Sequence, residues 1–351
     1  MLSDQADSHS FLIIRLSSLG DILLTTHTLR CLRKTFPKAQ IDFIVKEQYV
    51  ELLAGNPHLN NLIPLAEPGD KRALSALCNN LKNRYHTVID LHTSLRSNFI
   101  KRRLGASRIL SYNKRRIKRW LLVKTKRNFY GTEFSVPGAY LDALKSIGVA
   151  DDDKGLEWPG IVSLMDQFYQ RAGLDRSSLD KPIALCPGAS FATKIWPLDN
   201  WEKVLDELLK RDVPLWIFGD QDDYQAGERL RSLAPERIQN FAGKLSISGS
   251  AAGISLCRLA VTHDAGPMHI AAAVGTPVVA MFGSTVPAFG FKPFRSPHRL
   301  LQAKVSCRPC SHLGFDVCPL RHFRCMQEIS PEQVTEAIYN LEAQEFRINS
   351  K

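Results

Sequence analysis

The sequence predicts an α/β fold made of two consecutive open, doubly wound parallel-sheet halves. Three stretches predict it. Phe11–Leu16 is an apolar strand followed by Ser17-Ser18-Leu19-Gly20-Asp21, a helix from about Ile22 to Phe36, and a strand over Ile41–Val45. The same alternation restarts beyond Glu157-Trp158-Pro159-Gly160. Val261–Gly283 then packs a strand, a turn, a helix of small residues and a second strand into 23 residues with very short connections.

The elements follow in order. After the first unit, Val50–Leu65 reads as a helix and a short strand, Ala73–Asn83 as a helix, and Thr87–Leu91 as a strand ending in His92-Thr93-Ser94. In the second half, Ile183–Cys186 is a strand running into Pro187-Gly188-Ala189-Ser190 and Lys194-Ile195-Trp196-Pro197. A helix over about Asn200–Lys210 and a strand over Val213–Phe218, ending at Gly219-Asp220, come next. A helix over Tyr224–Leu233, a strand over Ile238–Phe241, the turn Ala242-Gly243-Lys244 and a helix to Cys257 lead into the Val261 unit. There, His263–Gly266 is the turn, Asp264 the capping candidate, and Pro267 sits at the start of the helix. A helix that opens at a glycine presents backbone N–H groups and a positive dipole end, which suits a phosphate. Gly20 stands outside any G-x-G-x-x-G pattern, so the dinucleotide fingerprint is absent.

With 351 residues, about two domains are expected, with a boundary near residue 160. No apolar run is long enough to cross a bilayer. The first ten residues carry Asp4 and Asp7 and no Lys or Arg, so no export signal is expected and the chain is expected in the cytoplasm. Charge is uneven. Between Leu91 and Thr132 there are 13 Lys and Arg residues and no acid, more than the net charge of +11 for the whole chain. Such a field recruits polyanions: nucleic acid, anionic membrane or a phosphorylated substrate. Phe99, Tyr112, Trp120 and Leu121 interleave the bases, which predicts an amphipathic helix over part of the stretch. Cys31, Cys78, Cys186 and Cys257 lie among apolar elements and read as buried thiols. Cys307, Cys310, Cys318 and Cys325 form a C-x2-C-x7-C-x6-C cluster, compatible with a structural zinc or iron site, with four reduced thiols, or with disulfides in an exported protein, the last disfavoured by the cytoplasmic expectation.

SSLGDILLTTHTLRCLRKTFP, CPGASFATKIWP and THDAGPMHIAAAVGTPVVAMFG, in this order and spacing, resemble glycosyltransferase family 9, whose best-known members are the ADP-heptose:lipopolysaccharide heptosyltransferases. The resemblance spans essentially the whole chain. It implies a GT-B fold, two Rossmann-like domains facing across a cleft, residues 1–160 binding the acceptor and 161–351 the nucleotide sugar, with the Cys-rich tail at 307–325. It implies inverting transfer of heptose from ADP-L-glycero-β-D-manno-heptose to the inner core of lipopolysaccharide, with no cofactor required for catalysis. Asp21 is then the general base and Lys194 the cation that offsets the leaving diphosphate. Gly188, Gly219, Lys244, Asp264, Ala265, Gly266 and His269 are the accompanying donor-side candidates. Ser17, Ser18, Gly20, His92, Arg96, Arg115, Arg116 and Arg119 are the acceptor-side candidates. His263, Ala265 and Ile195 depart from the residues common in the family, leaving one hydroxyl and one cation fewer near the donor. The expected partners are ADP-heptose, a lipid A/lipopolysaccharide core acceptor and an anionic membrane surface, with the enzyme peripheral at the inner face of the inner membrane. Three alternatives remain: another sugar or a protein or glycan acceptor, a nucleic-acid-binding protein, and a catalytically silent scaffold. The nucleic-acid reading is disfavoured, because no nucleic-acid module is recognisable.

Overall fold

The computed structural model describes residues 9–66, 71–173 and 180–349. The acidic start with Asp4 and Asp7 lies outside the described residues. The chain divides into two compact units, residues 1–115 with 136–159, and residues 116–135 with 160–351.

The first unit runs β1 (Ser10–Ile14), α1 (Leu19–Leu23), α2 (Thr26–Thr35), β2 (Gln40–Lys46), β3 (Asn61–Leu65), α3 (Lys71–Leu81), β4 (Thr87–Asp90), α4 (Leu95–Arg103) and β5 (Arg108–Ser111). The chain then forms α5 (Arg116–Thr125), which belongs to the second unit, and returns through α6 (Val136–Asp142). The five strands are parallel in the order β3-β2-β1-β4-β5. Phe11 sits opposite both Ile41 and Thr87, so β1 is flanked on both edges and buried on both faces. That is why it reads as a continuous apolar run. Leu12, Ile14, Leu16, Ile44, Val88 and Ile100 form the core on one face.

The second unit adds α7 (Ile161–Ala172), β6 (Ile183–Cys186), α8 (Leu198–Leu208), β7 (Leu215–Ile217), α9 (Tyr224–Arg231), β8 (Ile238–Asn240) and α10 (Ile247–Ser255). β9 (Leu259–His263), α11 (Gly266–Ala273), β10 (Val278–Met281), β11 (His298–Leu301), α12 (Arg324–Gln327) and α13 (Pro331–Asn349) complete it. Its six strands are parallel in the order β11-β10-β9-β6-β7-β8. Counted from β6, this is the same winding as the first sheet: second and third strands to one side of the first, fourth onward to the other. Val334, Ile338 and Leu341 of α13 join Trp196, Trp201 and Met281 in the core, at the i, i+4, i+7 spacing of a helix face.

Several boundaries differ from the sequence expectation, each for a local reason. The helix expected over Ile22–Phe36 begins at Leu19 and is broken in two. Ser18 turns its backbone N–H onto Asp21 Oδ2 (3.4 Å), starting the helix early. The Thr25 and Thr26 hydroxyls donate to the carbonyls of Ile22 and Leu23 (2.6 and 2.8 Å), competing with the backbone ladder where the break falls. Glu47–Leu52 is a 3-10 helix that starts ahead of the helix expected at Val50. The basic stretch is α4, β5 and α5 in succession, and the strand went unseen because Arg108–Ser111 is a mostly exposed edge. Assigned by sequence to the first domain, α5 packs with the second. β11 was missed because its four half-buried residues show no alternation.

Candidate functional site

In each unit the polar groups gather where loops leave the first and fourth strands of the winding, the switch point at which open α/β sheets hold ligands. After β1, Asp21 occupies the first turn of α1. Arg15 Nη2 meets Asp21 Oδ2 at 2.6 Å, with the Arg15 side chain buried and Asp21 partly open. Ser18 Oγ donates to the same oxygen at 3.2 Å, and Tyr140 OH reaches Asp21 Oδ1 at 3.4 Å. Arg15 Nη1 donates to the Leu91 carbonyl at 2.7 Å, tying the β1 loop to the β4 loop. Burial disfavours the Arg15 charge, yet the neighbouring Asp21 carboxylate raises its pKa overall, so the guanidinium stays charged. Burial pushes the Tyr140 phenol well above its usual range and keeps it protonated.

The β4 loop is built on Asp90, fully buried and ionically satisfied. Its Oδ1 accepts the His92 and Thr93 backbone N–H groups (3.0 and 2.7 Å), and its Oδ2 accepts Ser97 Oγ and Lys101 Nζ (both 3.0 Å). His92 is therefore held at the strand end. Burial, then the Arg15 and Lys114 charges, lower its pKa to about 4, so it is neutral near pH 7. The other acceptor-side candidates spread out. Ser17 is half-buried and Gly20 lies in α1. Arg96 is on α4, Arg115 lies 3.8 Å from Asp142, and Arg116 and Arg119 lie on α5 in the second unit.

In the second unit, Lys194 ends a short 3-10 turn after β6. Its Nζ sits 2.9 Å from Asp264 Oδ2 and donates to the Asp264 carbonyl at 2.8 Å. Thr285 Oγ1 donates to the same Oδ2 at 2.6 Å. Asp264 thus does not cap α11; the N-cap is Ala265, without a side-chain bond, and Gly266 opens the helix. Lys194 and Asp264 neutralise one another at the mouth of a helix whose N-terminus has no side-chain cap. His269 lies one turn into α11, buried. His263 ends β9 rather than beginning the turn. Its Nε2 accepts the Trp196 backbone N–H (3.0 Å) and its Nδ1–H donates to the Gly188 carbonyl (3.2 Å), so one neutral imidazole pins both ends of the Lys194 loop. Burial, then the Lys194 charge, lower its pKa to about 4.

Gly188 and Gly219 owe their identity to a neighbour. A Cβ on either would meet the Asp223 carboxylate at 2.0 and 2.5 Å. Burial, then Asp220, raise the Asp223 carboxyl to about 6. Lys244 follows β8, the edge strand, and donates to the Asn240 carbonyl at 2.9 Å beside the Tyr224 ring; the topology puts it two strands from the switch point.

The cysteine-rich tail forms a wall of the Lys194 loop. Thr193 exchanges three bonds of 2.8–3.0 Å with the backbone of Phe315. Arg308, buried, donates to the carbonyls of Phe282, Thr285 and Ala303 (2.7–2.8 Å). Cys307 Sγ lies 3.8 Å from His322 Nε2, and Cys310 Sγ turns to the Cys307 carbonyl at 3.4 Å. Burial pushes the Cys318 thiol up, but the backbone N–H groups around it together outweigh that and lower its pKa. Cys310 pairs with the Cys307 thiol, and Cys325 lies within electrostatic reach of both Cys307 and Cys318. Among the described residues, a set of ligand atoms all within 4.8 Å of one another is formed by His27, Cys31, Asp151 and Asp152.

Arg15, Tyr140, Asp90, Thr193 and Thr285 were not anticipated. Only Arg15 and Asp90 carried a signal, a charge inside an apolar strand run, which burial without a partner forbids.

The family model described as glycosyltransferase family 9 (heptosyltransferase) matches residues 74–314. The chain belongs to glycosyltransferase family 9. This family 9 chain is 28% identical over 304 residues to lipooligosaccharide heptosyltransferase 2 of Haemophilus influenzae, covering 80% of this chain and 85% of that one. It is 28% identical over 295 residues to lipopolysaccharide heptosyltransferase 2 of Escherichia coli, covering 79% and 84%. Among solved structures, a family 9 glycosyltransferase from Veillonella parvula superposes with a TM-score of 0.77 at 22% identity, covering 96% of this chain and 97% of that one. The E. coli ADP-heptose lipopolysaccharide heptosyltransferase II superposes with a TM-score of 0.71 at 22% identity, covering 96% and 99%. These likenesses establish the GT-B fold, with two Rossmann-like domains. The family 9 chain is a glycosyl-transfer enzyme of the heptosyltransferase type, as its relatives in lipopolysaccharide core biosynthesis are. No helix among the described residues is long and apolar enough to cross a membrane.

The His263 geometry has a pH consequence. A folded pKa near 4 against an unfolded value near 6.5 means the unfolded chain binds the extra proton first, so this residue's contribution is lost as pH falls from about 6.5 to 4. Fully developed, it is worth ~3 kcal/mol. Asp223, raised, acts with the opposite sign between about 3.8 and 6, so the readout is a difference. Denaturant melts of wild type and His263→Gln across pH 4–7 should show the variant losing less stability on acidification. Parallel curves would contradict this account of the loop.

Proposed function

We propose that this enzyme transfers a heptose from ADP-L-glycero-β-D-manno-heptose to the inner core of a lipopolysaccharide precursor, with inversion at the anomeric carbon. The observation that carries the reading is the placement of Asp21: a carboxylate at the carboxyl edge of the first sheet, oriented by the buried Arg15 and by Ser18 and Tyr140. The acceptor hydroxyl oxygen attacks the anomeric carbon, its proton passes to Asp21, and the bond from that carbon to the ADP oxygen breaks. The departing diphosphate gains charge. Lys194, drawn from Asp264, and the uncapped start of α11 at Ala265–Gly266 offset it. Thr285 stays on Asp264 as Lys194 turns to the phosphate. Gly188 and His269 line the same switch point. His92, neutral beside Arg15 and near Asp21, offers the acceptor a hydrogen-bonding ring without adding charge. The relatives named as heptosyltransferases support the sugar and acceptor classes.

We assign the anionic membrane surface to α5. Arg116, Lys118, Arg119 and Lys124 share this helix with Ile117 and Trp120, which are 76% and 59% exposed. Basic residues around an exposed tryptophan suit the interface of an anionic bilayer, where the enzyme would meet a lipid-linked acceptor at the inner face of the inner membrane.

The reaction is tested by incubating the enzyme with ADP-heptose and a panel of truncated lipopolysaccharide acceptors, read by mass spectrometry. One acceptor should gain a single heptose. Asp21→Asn, which keeps shape but not basicity, should lower kcat by about 10²-fold or more with the fold retained. Near-wild-type turnover would remove Asp21 from the mechanism, and no product from any acceptor would overturn the substrate assignment.

For α5, replacing Arg116, Lys118, Arg119 and Lys124 with Gln should weaken binding to anionic vesicles by about tenfold or more and flatten its dependence on salt. Binding to neutral vesicles should change little. Equal anionic-vesicle binding by both proteins would refute the docking surface.

A further inference from the structure

We propose that His27, Cys31, Asp151 and Asp152 form a binding site for a divalent cation of the zinc class, outside the transfer chemistry. His27 and Cys31 stand one turn apart on α2, an i, i+4 spacing that points both side chains from one helix face. Asp151 and Asp152 come from the loop after α6, more than a hundred residues along the chain. One ligand atom from each of the four lies within 4.8 Å of the others. His27 Nε2 is 3.0 Å from Asp151 Oδ1, 3.5 Å from Asp152 Oδ1 and 3.6 Å from Cys31 Sγ. Metal–ligand bonds of about 2.0–2.3 Å in tetrahedral geometry separate the ligand atoms by roughly 3.3–3.7 Å. Two of the three separations fall within that range and the His27–Asp151 pair, at 3.0 Å, lies just short of it, so little movement is needed.

The surroundings are built as well. His27 and Cys31 are fully buried, the Asp152 side chain is 4% exposed, and Asp151 at 37% leaves one side for entry. Asp151 Oδ1 accepts the Asp153 N–H at 3.0 Å, and Asp152 Oδ1 accepts the Lys154 N–H at 3.1 Å, which fixes both carboxylates. Arg30 clamps the far side of the loop. It grips both oxygens of Asp152, Nε on Oδ2 at 2.6 Å and Nη2 on Oδ1 at 3.2 Å, and bonds Glu157 Oε2 at 2.9 Å and the Gly155 carbonyl at 2.8 Å; a cation at Oδ1 would share that oxygen with Arg30 and the Lys154 N–H. Carboxylates oriented this way by outer partners are what a metal site needs. The mixed nitrogen, sulfur and oxygen donor set selects a zinc-like ion over magnesium or calcium, which take oxygen alone. The competing arrangement is a protonated His27 paired with the two aspartates. A cation replaces the weak 3.6 Å contact between His27 and the Cys31 sulfur with a metal–thiolate bond, formed as the thiol gives its proton to solvent. Bound there, it would fasten α2, the helix that follows the Asp21 turn, to the segment leading out of the first unit.

The probes are Zn²⁺ alone, counted per chain by elemental analysis after desalting, and Co²⁺, whose thiolate charge-transfer absorption reports a sulfur ligand. Both use the full chain, with far-ultraviolet dichroism to confirm folding. Cys31→Ser should lose about one equivalent of zinc and the matching part of the cobalt–sulfur band. Asp151→Asn, at a half-open position where the fold is least exposed to damage, should weaken zinc binding at least tenfold. Cys307→Ser/Cys310→Ser should leave both changes in place, which separates this site from the tail. A wild type that takes up no zinc would overturn the proposal. So would zinc content and cobalt spectra that are the same in wild type, Cys31→Ser and Asp151→Asn. If Cys31→Ser does not fold, Asp151→Asn alone decides.

Discussion

The constraint on which this structure depends is the reversal of strand order in each parallel sheet. Right-handed crossovers laid first to one side of the opening strand and then to the other send the loops after the first and fourth strands in opposite directions. A crevice opens between them at the carboxyl edge, lined by backbone ends and helix starts. The β1 and β4 loops bring Asp21 and His92 to that edge in the first unit, and the β6 and β9 loops bring Lys194 and Asp264 to it in the second. The winding decides where chemistry can be placed; the residues in the loops decide which chemistry.

Loops at such an edge are held by buried polar groups, each making several contacts. Asp90 fixes the β4 loop with four donors, Arg15 joins that loop to Asp21, His263 grips both ends of the Lys194 loop, and Arg308 threads the tail onto the β10 turn. In a low-dielectric interior an unmet group costs several kcal/mol, so a network that meets most of its polar atoms favours one geometry over its neighbours. Thr285 links two of these devices: its carbonyl accepts from Arg308 and its hydroxyl donates to Asp264. The tail is therefore a wall of the Lys194 loop rather than an appendage, although its sequence suggested only a metal site or a set of reduced thiols.

Much of this was legible in the sequence because buried parallel strands leave a plain signal. β1, β6, β9 and β10 are built on apolar runs at Phe11–Ile14, Ile183–Cys186, Leu259–Val261 and Val278–Met281, and the residues after these runs carry the small and charged groups that mark the edge. The motifs around Asp21, Lys194 and Gly266 placed the family. The rest was hidden for physical reasons. β5 and β11 are edge strands with no apolar pattern. That Lys194 is paired with Asp264, that His263 is a loop clamp, and that Gly188 and Gly219 make room for Asp223 are all contacts between residues far apart in sequence, which no local pattern encodes. The His27–Asp152 cluster was invisible for the same reason: Cys31 reads as one more buried thiol until a distant loop puts two carboxylates beside it.

The central claim is a division of labour, with the nucleotide held at the second switch point and proton transfer at the first. Titration calorimetry with ADP on wild type, Lys194→Ala and Asp21→Asn tests it without requiring the acceptor. The account predicts that Lys194→Ala binds ADP about tenfold or more weakly, since a charged contact to phosphate is lost, while Asp21→Asn binds as wild type does. Unchanged affinity in Lys194→Ala, or an equal loss in Asp21→Asn, would contradict it.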